Sequence, residues 1–149
     1  MRVTNTTSSI ISFAGNLEDK SSEFYSYLSQ QYPTKKEVFL DFIKENKKNK
    51  KQIIRTYQET ISDALEASFV FNDLNTKDYY IDTKTENYTS LSEALEMAIK
   101  MEKITQKFYY NIAKLSKSLL ATIPRIFKKV AERKSKRKLK LELLINGLL

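Results

Sequence analysis

The chain has 149 residues, a formal net charge of +8 and hydrophobic residues at 41% of its positions, which suits a single folded domain. It contains no cysteine and no histidine, which excludes disulfides, thiolate metal sites and nucleophiles that rely on cysteine or on a histidine base. With two glycines and two prolines, it lacks the turn residues of many hairpins and any glycine-rich phosphate loop. The composition predicts an all-α protein.

Apolar residues recur at helical spacing in four long stretches, of which the first spans residues 8–31. The second follows Thr34, which forms with Glu37 the pattern of a capping box. A weaker apolar stretch, 61–71, comes after it. Residues 72–89 show no periodicity and are predicted to form a loop.

A second capping box, at Ser90 and Glu93, opens a third helix that runs to about residue 117. Pro124 suits the first turn of a fourth helix. The joints within each helix pair are short, whereas about 30 residues separate the two pairs. This spacing predicts two helical hairpins joined by a long crossover, one of the few four-helix bundle topologies. Residues 1–149 are predicted to form this single domain.

The two predicted hairpins resemble each other in sequence. Glu18 and Tyr25 on the first helix match Glu102 and Tyr109 on the third, 84 residues later. The second and fourth helices match at a distance of 87 residues. The repeat therefore aligns four glutamates, which are Glu18, Glu45, Glu102 and Glu132.

The spacing of apolar residues places two of these glutamates on inward stripes. Glu18 follows Ile11 and Ala14 at helical intervals, and Glu102 lies on the same stripe as Ala98. A buried carboxylate without a partner costs several kcal/mol, so an inward acid needs a proton, a cationic side chain or a metal. A solvated position at the edge of the bundle is the alternative, and polar flanks favour it for Glu45 and Glu132.

Glu-x6-Tyr on the first and third helices, with a glutamate late in the second and fourth, resembles the ferritin-like superfamily over roughly residues 10–145. Its rubrerythrin-like group is the most similar. In that family a Glu from each of two helices and a Glu-x-x-His from each of the other two bind two iron ions inside the bundle. The resemblance assigns Glu18 and Glu102 as the lone carboxylates, and Glu45 and Glu132 as the bridging ones.

The chain departs from the family pattern where the two histidines are expected, since Lys48 and Ser135 occupy those positions. If Lys48 points inward, its charge offsets the glutamates and repels a metal. The preferred hypothesis is a degenerate site without a cofactor, in which Lys48 and a basic residue of the fourth helix form salt bridges. Tyr25 and Tyr109 either pack in the core or donate to the site carboxylates.

This hypothesis implies a structural or interaction protein without redox catalysis. The alternative is a carboxylate-only metal site, for example for Fe or Mn, with residual oxidase or peroxidase activity. A third possibility is a basic helical bundle that binds nucleic acid.

Positive charge is concentrated at the C-terminus, where residues 125–149 hold nine Lys/Arg and two Glu. The segment is interpreted as a solvated helix face, a surface for the nucleic-acid backbone, or a surface for an anionic membrane or acidic partner. The candidate basic patch consists of Lys128, Lys129, Arg133, Lys134, Lys136, Arg137, Lys138 and Lys140.

The C-terminal leucines are too apolar to be free in water, so some are expected to pack on the bundle and others to face a second copy in a homodimer. They are Leu139, Leu141, Leu143, Leu144, Leu148 and Leu149. No apolar run reaches the ~18 residues that a membrane span needs, and the chain is predicted to be cytoplasmic.

Overall fold

The computed structural model describes residues 4–72, 74–82 and 88–148, of which 81% are helical. This confirms the predicted helical class. The described part contains helices α1 (Thr7–Gln31), α2 (Lys36–Thr60), α3 (Asp63–Ser68), α4 (Leu91–Leu115) and α5 (Thr122–Ile145). Short 3₁₀ helices lie at Pro33–Lys35 and Thr76–Tyr79, and two strands, β1 (Thr4–Thr6) and β2 (Val70–Asn72), form an antiparallel pair.

One of the two predicted capping boxes forms its N-cap bond, while its glutamate, Glu93, accepts from the N–H of Thr89. Ser90 has extended backbone angles and its hydroxyl accepts a hydrogen bond from the Glu93 N–H, which starts α4. The predicted box at Thr34 is wrong, because Thr34 already lies within the 3₁₀ helix that begins at Pro33. Lys35 precedes α2 instead and makes no side-chain cap.

The four long helices pack in antiparallel pairs around a common core. α1 lies against α2, where Asn46 donates to Ser21, and α4 lies against α5. α2 also contacts α5, where Thr122 at the start of α5 bonds Thr60 at the end of α2. α1 contacts α4 through a Tyr25–Glu102 hydrogen bond.

The segment between α2 and α4 follows the length of α1. Near the start of α1, the Ser8 N–H donates to Glu66 and β1 pairs with β2. Near the other end of α1, Tyr88 packs edge-to-face on Phe24. The predicted loop is therefore more ordered than expected, since Tyr79 and Ile81 are buried in the core. Its residues 83–87 lie outside the described residues.

Burial follows an internal repeat. The buried residues of α1 and α4 match at a distance of 84 residues, as Phe24 and Phe108 illustrate. The buried residues of α2 and α5 match at 88 residues rather than the predicted 87, as in the pairs Phe39/Phe127 and Ile53/Leu141. A shift of one residue rotates a position by 100° on a helix, so it changes which side chains face inward.

The C-terminal leucines divide between core and surface. Leu141 and Leu144 are buried in the bundle, whereas Leu139, Leu143 and Leu148 are exposed. Leu149 lies outside the described residues. The exposed leucines leave the homodimer as a prediction. None of the helices in the described ranges is both long and apolar enough to cross a bilayer.

Candidate functional site

A network of polar and charged side chains crosses the middle of the helical core. Each of the four long helices contributes to it, and the contributing side chains are almost completely shielded from solvent. They are Glu18 from α1, Asn46 and Asn49 from α2, Glu102 from α4, and Lys134 and Arg137 from α5.

One half of this buried network is centred on Glu18. Lys134 Nζ lies 2.8 Å from Glu18 Oε2, and both side chains are at most 1% exposed. Glu18 Oε2 makes no aligned hydrogen bond, so the contact is an ion pair. Asn49 Nδ2 donates to Glu18 Oε1 over 2.8 Å, and Lys134 Nζ also donates to Asn46 Oδ1 over 3.0 Å. The lysine therefore joins α1, α2 and α5.

The other half is centred on Arg137. Its Nη1 donates to Asn46 Oδ1 at 2.7 Å and to Glu102 Oε1 at 3.3 Å. Its Nη2 donates to Glu45 Oε1 at 2.8 Å and to the Phe42 carbonyl at 3.2 Å. The guanidinium carbon also lies 4.9 Å from the centre of the Phe42 ring. Arg137 is thus held by α2 and α4 at once.

Two buried tyrosines complete the network. Tyr25 OH donates to Glu102 Oε1 over 2.6 Å. Tyr109 OH is equally buried and interacts with Glu18, although without the geometry of a well-aligned hydrogen bond. Burial, reinforced by the charge of Glu102, raises the pKa of Tyr25 well above its usual value. Burial, reinforced by Glu18 and Glu102, does the same to the pKa of Tyr109.

The charges of the fully buried groups cancel, because the carboxylates of Glu18 and Glu102 face the cations of Lys134 and Arg137. Burial alone opposes the charge of Arg137, but Glu102 and the other nearby acidic groups outweigh it and raise the pKa of Arg137. Glu45 sits at the rim with a side chain that is 36% exposed. The network is therefore an internal set of ion pairs that ties the four long helices together.

The predicted inward positions of Glu18 and Glu102 are confirmed by their burial. Glu132 is exposed on α5 and does not join them. Lys48 is also exposed, and Ser135 is half-buried outside the network. The prediction that Lys48 points inward is wrong because the buried face of α2 runs through Asn46 and Asn49, and Lys48 is rotated by 100° from Asn49.

The corrected repeat places different residues inside the bundle. At a distance of 88 residues, Asn46 and Asn49 on α2 match Lys134 and Arg137 on α5. Both pairs have i, i+3 spacing and lie between matched buried apolar residues, which is the sequence signal that could have located them.

The predicted basic patch is therefore not a single surface. Lys134 and Arg137 belong to the interior, while Arg133 and Lys138 are half-buried. The members of the patch that remain exposed are Lys128, Lys129, Lys136 and Lys140.

The buried groups do not fit a di-iron centre. The two carboxylates on α1 and α4 already contact cationic side chains, which would repel a metal ion. Within the described ranges, no three acidic side chains are arranged so as to hold a metal ion.

Comparisons of the chain with models of protein families, with curated proteins and with solved structures found no match.

Proposed function

We propose that this chain is a divergent ferritin-like protein whose di-metal centre has been replaced by buried ion pairs. In this proposal it is not an enzyme, and its role is structural or in interactions with other molecules. The network of Glu18, Lys134, Arg137 and Glu102 is the observation that carries the proposal.

The directions of the helices support this kinship. α1 and α2 form one antiparallel pair, α4 and α5 form another, and the connecting segment runs along α1 between the two pairs. Two helical hairpins with such a crossover are the arrangement of ferritin-like bundles. The two hairpins also contact each other as such a bundle requires, since Tyr25 of the first donates a hydrogen bond to Glu102 of the second.

The positions of the buried charges support the replacement. The family's metal site needs one glutamate from each of two helices and a Glu-x-x-His pair from each of the others. Glu18 and Glu102 match the single glutamates. At the inward i, i+3 positions, α2 has Asn46-x-x-Asn49 and α5 has Lys134-x-x-Arg137. Two amides and two cations thus stand where four metal ligands are expected.

The substitution supplies positive charge at the point where the metal ions would supply it. Buried carboxylates must be neutralised, and Lys134 and Arg137 do so with fixed side chains. Neither cation can change its oxidation state, so the arrangement suits a scaffold and not a redox catalyst. Because Lys134 and Arg137 are part of the chain, they neutralise the buried glutamates whether or not metal is available.

Metal analysis tests this proposal. The protein is produced in medium containing iron and manganese, purified without chelator, and measured by elemental analysis. We expect far less than one metal ion per chain. Close to one or two ions per chain, lost in a Glu18→Gln/Glu102→Gln variant, would favour the carboxylate-only metalloprotein instead.

A stability measurement tests the role of the ion pairs. Lys134→Met leaves Glu18 buried without its cation and should lower the free energy of unfolding by about 3–5 kcal/mol. Adding Glu18→Gln should recover a large part of this loss, because the unpaired charge is then removed. Lys128→Met is the matched control on the exposed face of α5 and should change stability by no more than about 0.5 kcal/mol in urea unfolding.

A further inference from the structure

Helices α2 and α5 carry most of the positive charge of the molecule. α2 contains seven basic and four acidic residues, and α5 contains nine and two. Together they have a charge of +10, but Lys134 and Arg137 are buried and cancelled by Glu18 and Glu102, which leaves +8 on the two helices and no net charge on the other residues. Because α2 and α5 pack against each other, this charge is concentrated on one side of the molecule.

The basic residues of α5 that border α2 form a stripe. Lys129, Arg133, Lys136 and Lys140 follow one another at intervals of three or four residues, which places them on one side of the helix. Arg133 fixes this side against α2, because its Nη1 donates to Asn49 Oδ1 and to Gln52 Oε1, both at 2.8 Å.

Two depressions along this junction are lined by cations. One has a volume of about 390 Å³ and lies on α2 beside Gln52, which is also the residue that Arg133 binds. It is lined by Lys47, Lys48, Lys51, Gln52 and Arg55. The second lies between the helices and includes Arg133, Lys136 and Lys140. Arg133 of the second depression binds Gln52 of the first, so the two lie side by side, and together with Lys129 they are called the basic groove here.

Acidic side chains reduce this charge only locally. Asp41 and Glu45 border the second depression, and Glu45 is already paired with Arg137. Glu132 is exposed on α5, one turn from Lys129 and Lys136. The depression on α2, which includes Lys48 and Arg55, has no acidic residue in its lining.

We propose that this basic groove binds the phosphodiester backbone of nucleic acid without reading its base sequence. The stripe from Lys129 to Lys140 is about 16 Å long at the rise of an α-helix, and one DNA strand presents a phosphate about every 3.4 Å along the duplex axis. The groove therefore spans several phosphates. Its described lining has one aromatic residue, Phe42, which is buried and unable to stack on a base.

The shape and chemistry of the groove favour nucleic acid over a membrane. A helix that binds a bilayer surface inserts an exposed apolar face beside its cations. The lining of the groove offers basic, acidic and amide side chains, and its apolar member Phe42 is only 5% exposed; the exposed Leu139 and Leu143 of α5 lie outside this lining. The inference does not depend on the absence of metal from the buried network, so it can fail while the proposed function stands.

Binding is measured by fluorescence anisotropy with two labelled 30-base-pair DNA duplexes of unrelated sequence. We expect similar affinities for both, and a strong decrease in affinity between about 50 and 200 mM salt. The groove variant is Lys48→Gln/Lys51→Gln/Lys129→Gln/Lys136→Gln. It should bind at least tenfold more weakly, and the slope of log affinity against log salt should be smaller by about three to four.

The matched control removes the same charge from α4, where the four exposed lysines are changed to glutamine: Lys100→Gln, Lys103→Gln, Lys107→Gln and Lys114→Gln. It should retain DNA affinity within about threefold, and circular dichroism should show both variants folded. Three results would overturn the proposal: no DNA binding at 50 mM salt, equal losses in the two variants, or tighter binding to phosphatidylserine-containing vesicles or polyglutamate than to DNA.

Discussion

Tyr25 and Tyr109 occupy equivalent positions in the repeat, yet their hydroxyls have different surroundings. Tyr25 OH donates to Glu102, which also accepts from Arg137. Tyr109 OH is buried beside Glu18 but makes no well-aligned hydrogen bond with it. A well-aligned hydrogen bond to a charged group contributes about 1.5–3 kcal/mol, while a poorly aligned one contributes less. Tyr25 and Tyr109 are therefore equivalent in the sequence repeat, but their hydroxyls contribute differently to stability.

Replacing each tyrosine by phenylalanine should expose this difference. Tyr25→Phe removes the hydrogen bond to Glu102 and should lower the free energy of unfolding by about 1.5–3 kcal/mol. Tyr109→Phe removes only a poorly aligned interaction with Glu18 and should cost clearly less than Tyr25→Phe. Urea unfolding at pH 7 measures both. Equal losses in the two variants would contradict the described environment of Tyr109.

The inward acids were predictable at the level of single residues, whereas their partners could be located only through the match at 88 residues. Glu18 and Glu102 interrupt apolar stripes, so periodicity identifies them as buried. Lys134 and Arg137 lie within a run of basic residues, where each looks like part of a solvated face. Which members of such a run turn inward depends on the packing of α5 against three other helices.

At the level of elements, two segments with the same capping pattern behave differently. Ser90 precedes α4 in extended conformation and accepts from the Glu93 N–H at 3.1 Å. The Glu93 side chain accepts hydrogen bonds from Thr89, which lower the pKa of Glu93. Thr34 has the same sequence spacing to Glu37, but it lies inside a 3₁₀ helix and caps nothing. The preceding Pro33 starts that turn and so removes the cap.

Alanine substitutions at the two positions should separate real from apparent capping. Ser90→Ala removes the acceptor for the Glu93 N–H and should reduce stability by about 1 kcal/mol. Thr34→Ala should change it by no more than about 0.5 kcal/mol, because its side chain makes no cap bond. Both side chains are exposed, so packing does not obscure the comparison of urea midpoints. Similar losses at both sites would show that Thr34 does cap α2.

The long helices follow from periodicity, because each has a sustained apolar stripe. α1, predicted over residues 8–31, extends over Thr7–Gln31. The pairing of β1 with β2 could not be predicted in the same way, since each strand has three residues and its partner is distant in sequence. Three residues carry too little alternation to distinguish a strand from a loop.

On the scale of the whole molecule, the charge of the buried network determines how the stability of the protein responds to high pH. Loss of a proton from Tyr25 or Tyr109 would add an unpaired negative charge to the buried network. The raised pKa of Arg137 keeps this cation protonated in alkaline solution. The buried tyrosines Tyr25 and Tyr109 are therefore the groups through which high pH should unfold the protein.

Alkaline unfolding should depend on both buried tyrosines. The unfolded chain releases tyrosine protons as the pH rises through about 10, while the folded chain retains them because the pKa values of Tyr25 and Tyr109 are raised. Above pH 10 the free energy of unfolding should fall by up to about 1.4 kcal/mol per pH unit for each tyrosine. Tyr109→Phe removes one of these contributions, so urea unfolding between pH 9 and about 11.5 should show a shallower decline. Tyr80, which is 63% exposed, provides the control: Tyr80→Phe should leave the decline unchanged, and an unchanged decline in Tyr109→Phe as well would contradict the coupling.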